Sequence, residues 1–204
     1  MKLPIISLLV LMLCVNACTP KPFFEDQDDP GLTRFTDRGL NAGSAYINGN
    51  AWRTGYSSLI GQDALLVADT NAVGKDTLYL SFQGEYSPAL LAPSGWQNLP
   101  FVIFALPTKK NLTLNEWLSW NGRLFPADTT TVTVYLCNSP LPQPGLTAFV
   151  RGTGSLYFTK LFRSTNPLEV GMVGLFDGKI GDSIEIRKGR FDFRLNESSF
   201  TFTP

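Results

Sequence analysis

The chain has 204 residues, with 17 lysines and arginines balancing 17 aspartates and glutamates, and it contains no histidine. A formal net charge of zero excludes the basic field that nucleic-acid binding requires, so we expect no nucleic-acid partner. The lack of histidine excludes serine triads with a histidine base and imidazole metal sites, and we expect no metal ion and no cofactor. Hydrolysis by a carboxylate pair remains open.

The first residues are typical of a secretory signal. Lys2 provides the positive charge, and the apolar run 4–15 is too short to span a bilayer. Ala17-Cys18 resembles the lipobox of bacterial lipoproteins. The resemblance implies a signal peptide over residues 1–17, and lipid attachment with palmitate-type acylation at Cys18. It also implies anchorage in the outer membrane, on its periplasmic or cell-surface face. The alternative is an ordinary secretory signal that is cleaved elsewhere.

Residues 18–43 show no hydrophobic period. Pro20 and Pro22 favour an extended chain, and the acids between residues 25 and 29 repel one another. We therefore predict a tether over 18–43 that holds a single domain, residues 44–204, away from the lipid. Lys21 followed by acids partly resembles the surface-export signal of some Bacteroidota lipoproteins, and a plain solvated linker is the alternative.

From residue 44 onward the pattern predicts β-structure. Asn48-Gly49 lies between two short apolar segments and predicts a tight hairpin. Residues 76–82 and 131–137 alternate between apolar and polar side chains, and the apolar run 100–106 predicts a strand covered on both faces. About ten short strands at this spacing predict an all-β fold, an antiparallel β-sandwich, with a flattened β-barrel as the alternative.

One short helix interrupts this pattern. Thr113 and Glu116 have the spacing of a capping box, and Asn121-Gly122 is a typical helix end. After the helix, Cys137 is the remaining cysteine of the predicted mature domain, with nothing cationic beside it in sequence. We expect it to be a small buried apolar residue.

Several segments of the β domain resemble a known group of proteins. The hairpin 45–52 contains N-G-x-x-W, the segment 154–159 reads GSLYFT, and residues 188–192 contain G-R-F-D. In these features the chain resembles uncharacterised small lipoproteins of Bacteroidota. The resemblance implies a β-sandwich on a lipid anchor and brings no activity or catalytic residue with it.

Aromatic residues suggest one candidate binding site. Trp96, Trp117 and Trp120 could form a platform for stacking on sugar rings or for lining a peptide groove. Trp117 and Trp120 are three residues apart, so they would share one face of the short helix. Packing in the core is the alternative for all three residues.

Three tripeptides resemble the D-[S/T]-aliphatic acceptor of O-glycosylation in Bacteroidota. They are D-T-L at 76–78, D-T-T at 128–130 and D-S-I at 182–184, which makes Thr77, Thr129 and Ser183 candidate acceptors. Thr129 lies in a predicted turn, where a modifying enzyme has the best access.

These observations lead to a lipid-anchored cell-envelope protein that is not an enzyme but a binding module for glycan or peptide. An accessory or structural subunit of an envelope complex is the alternative. A carboxylate-dependent glycoside hydrolase, with Glu169 and Asp177 or Asp182 and Glu185 as the pair, is a third possibility.

Overall fold

The computed structural model describes residues 25–38, 41–54, 64–69, 77–86, 101–108, 112–128, 132–142, 148–166, 169–196 and 200–201. Within these ranges the chain forms eleven β-strands and one α-helix. In chain order they are β1 (Ala42–Ile47), β2 (Asn50–Thr54), β3 (Ala64–Asp69), β4 (Thr77–Tyr86), β5 (Phe101–Pro107), α1 (Leu114–Leu118), β6 (Leu124–Phe125), β7 (Thr133–Cys137), β8 (Phe149–Arg163), β9 (Glu169–Ile180), β10 (Ile184–Asn196) and β11 (Phe200–Thr201).

Eight of the strands form a closed antiparallel barrel. They follow one another around it in the order β1-β2-β4-β5-β7-β8-β9-β10, and β10 pairs with β1 to close it. Strand β3 is an extra strand on β4, while β6 pairs with β8 and β11 with β3. The all-β prediction is confirmed, and of the two predicted architectures the structure has the barrel. Closure leaves these eight strands without an open edge for pairing.

Aromatic rings fill the interior of the barrel. The ring centroid of Phe82 lies 5.1–6.5 Å from those of Phe104, Phe176, Phe191 and Phe193. Eight-stranded barrels have interiors that either side chains or one small ligand can occupy. Over the part of the chain described here, packed rings occupy the middle of that space.

Strands β4 and β5 are buried on both faces. Leu78, Leu80 and Phe82 point inward as their alternation predicts, but Tyr79 and Ser81 on the opposite face are also buried, at 3% and 2% exposure. Tyr79 belongs to a second apolar cluster outside the barrel wall, formed with Ile103, Ala105 and Cys137. The expectation that Cys137 is a buried apolar residue is confirmed.

The helix begins as its sequence predicts. Thr113 Oγ1 accepts a hydrogen bond from Glu116 N at 3.4 Å, and Thr113 N donates to Glu116 Oε2 at 3.0 Å. Gly122, in the turn that follows, has a positive φ of 73°. Arg163 Nη2 donates to Asn115 Oδ1 at 2.7 Å, which places α1 beside the last residue of β8.

Gly171 and Gly174 are two of the glycines of β9, and a glycine inside a strand suggests a bulge. Both pair in continuous register with β10, but the β8–β9 pairing shifts register next to Phe158, the partner of Gly174, so an irregularity lies beside Gly174 and not beside Gly171. A Cβ atom on Gly171 would lie 2.1 Å from the ring of Phe162, and one on Gly174 would lie 2.4 Å from the ring of Phe191. The glycines therefore make room for two phenylalanine rings that cross over the strand.

Residues 25–38 lie against the outside of the barrel, and we call this segment the strap. Leu32 is fully buried, and Glu25 and Thr33 form an isolated antiparallel bridge that closes the first part of the strap on itself. Residues 25–38 of the predicted tether are therefore packed on the barrel, and residues 18–24 lie outside the described residues. Two of the acids that were expected to repel one another, Asp26 and Asp29, are held by basic side chains of β10, as described below.

Candidate functional site

The structure places Trp117 of α1 and Trp120, two residues beyond the end of α1, in the core. Trp117 is fully buried, Trp120 is 9% exposed, and both pack against the inward-facing ring of Phe158 at 6.3 and 6.4 Å. Neither indole presents an open face on which a sugar could stack. Trp96 lies outside the described residues. The two described members of the predicted platform are therefore core packing residues.

Two of the three candidate glycosylation sites can be located. Ser183 is exposed in the turn between β9 and β10, where its carbonyl oxygen accepts a hydrogen bond from Asn48 Nδ2 at 2.8 Å. Thr77 lies in β4 between Asp69 of β3 and Pro107 of β5, a position that the neighbouring strands enclose. Thr129 and the predicted lipid-bearing Cys18 lie outside the described residues.

One of the two candidate carboxylate pairs is held far apart. Glu169 and Asp177 are eight residues apart on the same strand, which corresponds to about 26 Å at a strand rise of roughly 3.3 Å per residue. Glycosidases hold their two carboxyl groups about 5–9.5 Å apart. Asp182 and Glu185 bind Lys179 and Arg187 in exposed salt bridges. The separation of Glu169 and Asp177 does not favour glycoside hydrolysis, and each carboxylate of the second pair is bound to a basic side chain.

The strap is held by a buried arginine. Arg190 of β10 is 8% exposed, and its guanidinium donates to Asp26 Oδ2 at 2.6 Å and to Asp29 Oδ2. It also donates to the carbonyl oxygen of Thr33 at 3.4 Å. The ammonium group of Lys188 forms a further salt bridge with Asp29. Two strap carboxylates are thus neutralised by two basic residues of one strand.

A second set of polar contacts fixes the other half of the strap. Thr33 N donates to Ser44 Oγ of β1 at 3.0 Å, and Asp192 Oδ2 accepts from Thr36 Oγ1 at 2.5 Å and from Arg38 N at 3.1 Å. Ser44 and Asp192 are both nearly fully buried. Their hydrogen-bonding groups are therefore satisfied by the strap, as buried polar groups require.

We expect acid to loosen the strap. Hydrogen bonds from the backbone N–H of Asp28, followed by the Arg190 charge, lower the pKa of Asp26, and Lys188 with Arg190 lowers that of Asp29. Because the folded pKa values lie below the unfolded ones, this stabilisation is complete above about pH 4 and is lost as the pH falls through the folded values.

Amide hydrogen exchange can measure this loss. The protection factor of Leu32 N, which donates to Asp29 O, should fall more between neutral pH and about pH 2.5 than the protection factors of β9. The double variant Asp26→Asn, Asp29→Asn removes both titrating groups and should lose this extra pH dependence. Equal loss of protection in the strap and in β9 would contradict the role assigned to the two carboxylates.

An amphiphilic cleft lies on the outer face of the barrel. Leu124 of β6, Tyr157 of β8 and Leu175 of β9 are register partners across three adjacent strands. Leu124 and Leu175 are 59% and 40% exposed, and with Tyr157 between them they form a contiguous apolar surface. Together with Ser155 and Asp177 they line a cavity of about 250 Å³, which we call the β8–β9 cleft.

The polar side of this cleft carries groups that can still bind a ligand. Asp177 Oδ1 accepts a hydrogen bond from Lys188 N at 3.0 Å, while Oδ2 has no hydrogen-bond partner among the described residues. Burial raises the pKa of Asp177, and the N–H of Lys188 opposes this effect. Within the same part of the chain, Ser155 Oγ and Tyr157 OH also make no hydrogen bond. The cleft therefore offers two hydroxyls and one carboxyl oxygen beside an apolar surface.

A second surface cavity, of about 320 Å³, lies between the β1–β2 hairpin and β10. Its charged and amide groups already bind one another. Arg187 pairs with Glu185 at 2.6 Å, and the side chain of Asn48 bonds to the backbone of Ser183 and Glu185. Since these groups are already used, the β8–β9 cleft is the better candidate site.

One signal in the sequence could have indicated the cleft. In β9, Leu175 falls in the same phase as Asp177 and Lys179, the outward and polar phase of the strand. An aliphatic residue at that phase is the expected sign of a contact surface. Leu124 and Tyr157 carry no such signal, because their proximity to Leu175 depends on strand pairing.

Family models, curated proteins and solved structures were compared with the chain, and none matches it. In the described ranges, no helix has the length and apolar character needed to cross a bilayer. The same ranges contain no group of three or more Cys, Asp or Glu side chains placed to hold a metal ion.

Proposed function

We propose that this chain is a lipid-anchored protein of the bacterial cell envelope that acts as a non-catalytic binding module, with one sugar ring of a glycan as the ligand of the β8–β9 cleft. The observation that supports this proposal is the exposed row of Leu124, Tyr157 and Leu175 beside the free acceptors of Ser155 and Asp177.

The two sides of the cleft suit the two sides of a sugar. A pyranose has an apolar face of C–H groups, which packs on an aromatic ring and on leucine methyl groups. Its hydroxyl groups donate to carboxyl and hydroxyl oxygens, and a hydrogen bond to an ionised partner is the stronger kind. A volume of about 250 Å³ lies below the roughly 300–1,000 Å³ of pockets that enclose a whole drug-sized ligand. The cleft therefore has the size for one sugar ring of a longer glycan.

The strap determines how far the barrel can lie from a lipid on Cys18. Glu25 is the first residue of the strap, where it bridges to Thr33, and it follows Cys18 by seven residues. Seven fully extended residues reach about 24 Å. The lipid-anchored barrel would thus stay close to the membrane, within reach of glycans at that surface.

Binding can be tested with the intact chain in detergent against a panel of envelope and host glycans, followed by calorimetry. We expect one glycan class to bind. Asp177→Asn should weaken binding at least tenfold, since a lost hydrogen bond to a charged group costs about 1.5–3 kcal/mol. Tyr157→Ala removes the ring on which the sugar packs and should also weaken binding. Tyr46→Ala, in the second cavity, is the matched control and should bind like the wild type. If Tyr157→Ala and Asp177→Asn bind the glycan as tightly as Tyr46→Ala and the wild type, the cleft is not the binding site.

The accessory-subunit function remains the second candidate, because Leu124 at 59% exposure also suits a protein contact. The same proteins distinguish the two candidates. If no glycan binds, and if Leu124→Asp abolishes capture of one defined partner from solubilised envelope, the cleft is a protein interface.

A further inference from the structure

Two buried hydrogen-bond donors on the inward face of the barrel have no partner among the described residues. Trp52 of β2 is fully buried and Tyr86 of β4 is 6% exposed, and both belong to the inward-facing core. Trp52 Nε1 and Tyr86 OH are each inaccessible to solvent and make no hydrogen bond. Native proteins rarely leave such groups unpaired, since an unpaired buried donor costs about 1–3 kcal/mol.

The two side chains are direct neighbours. Trp52 and Tyr86 are register partners in the antiparallel β2–β4 pair, so their side chains leave the same face of the sheet at adjacent points. A Cβ atom on Gly84 would lie 2.6 Å from Cε2 and Cζ2 of Trp52, which shows that the indole lies directly over this glycine. The glycine thus fixes where the indole ring, with its Nε1, can lie.

The chemistry of the pair points to one kind of ligand. Burial raises the pKa of Tyr86 to about 12, so its hydroxyl stays protonated and can donate, and an indole N–H can only donate. The buried charged residues of the described chain, Arg190 and Asp192, lie on the outer face of β10 under the strap. An anion between the two donors would thus lack a counter-charge on the inward face, which makes its burial costly.

We propose that Trp52 Nε1 and Tyr86 OH form an internal site for one neutral oxygen acceptor, either a water molecule or a carbonyl or ether oxygen of a small ligand. The site is separate from the β8–β9 cleft and does not depend on the function proposed for it. It lies on the inward face of the β2–β4 pair.

The first test is the melting temperature of Tyr86→Phe, which removes a single oxygen. If the hydroxyl binds an acceptor, the melting temperature should fall by about 2–4 °C or more. If the hydroxyl is unpaired, its removal should leave the melting temperature unchanged or raise it, and that result would overturn the proposal. Ser81→Ala is the matched control. Ser81 Oγ is equally buried and also makes no hydrogen bond, but its register partners are Leu65 and Ile103, so no second donor faces the same acceptor and no fall is expected.

The second test identifies the acceptor. The indole N–H resonance of Trp52, assigned with Trp52→Phe, should have the shift of a hydrogen-bonded group in protein purified from its native host. If the shift is unchanged after complete unfolding and refolding in buffer, the acceptor is water. If it changes on refolding and a host extract restores it, the acceptor belongs to a small ligand. A resonance typical of a free indole in both preparations would also overturn the proposal.

Discussion

Replacing Phe82 by alanine should destabilise the protein by about 4 kcal/mol, the middle of the range for truncating a buried phenylalanine. Phe82 is fully buried, and its ring contacts four other phenylalanine rings inside the barrel. These four rings come from three other strands, so the space cannot close without moving the barrel wall. Urea unfolding followed by fluorescence measures the loss.

Phe35→Ala is the matched control for Phe82. Phe35 lies in the strap and is 40% exposed, so its truncation should cost less than about 1 kcal/mol. A similar cost for both variants would mean that the stacked rings do not dominate the stability of the barrel.

Replacing Arg190 by methionine should cost about 3 kcal/mol, the lower end of the range for a broken buried ion pair. The variant keeps the apolar stem but leaves Asp26 and Asp29 with Lys188 as the remaining cation of the cluster. Side-chain exposures of 14% and 17% let water reach the two carboxylates, which limits the loss. Unfolding in urea gives the change in stability, and limited proteolysis shows whether the strap becomes a cleavage site.

Two variants distinguish the bridging geometry of the Arg190 guanidinium from the effect of its positive charge. Arg190→Lys keeps the positive charge but cannot form the fork that bridges two carboxylates, so it should recover part of the loss. Arg187→Met removes an exposed salt bridge with Glu185 at 2.6 Å and should change stability by less than about 1 kcal/mol. If Arg187→Met costs as much as Arg190→Met, general charge balance rather than the strap contact controls stability.

Local patterns determined the features that depend on nearby residues. Asn48-Gly49 predicts the β1–β2 hairpin, and the structure has positive φ angles of 50° and 79° at these two positions. Thr113 and Glu116 predict the capping box, and both of its hydrogen bonds form. The inward phase of Leu78, Leu80 and Phe82 was also predictable, because alternation alone decides which side chains share a face of a strand. Alternation could not choose between sandwich and barrel, since both present one apolar face inward.

The tertiary structure alone decided which distant residues meet. The acids at 26 and 29 have the composition of a solvated linker, and only the fold brings Arg190, 161 residues after Asp29, into contact with them. The spacing of Trp117 and Trp120 places both side chains on one face of a helix, and only the fold shows that this face packs inside against Phe158. The β8–β9 cleft also depends on the fold, because strand register brings Leu124, Tyr157 and Leu175 side by side. A sequence specifies which side chains alternate along each strand, but contact between strands depends on the closure of the whole barrel.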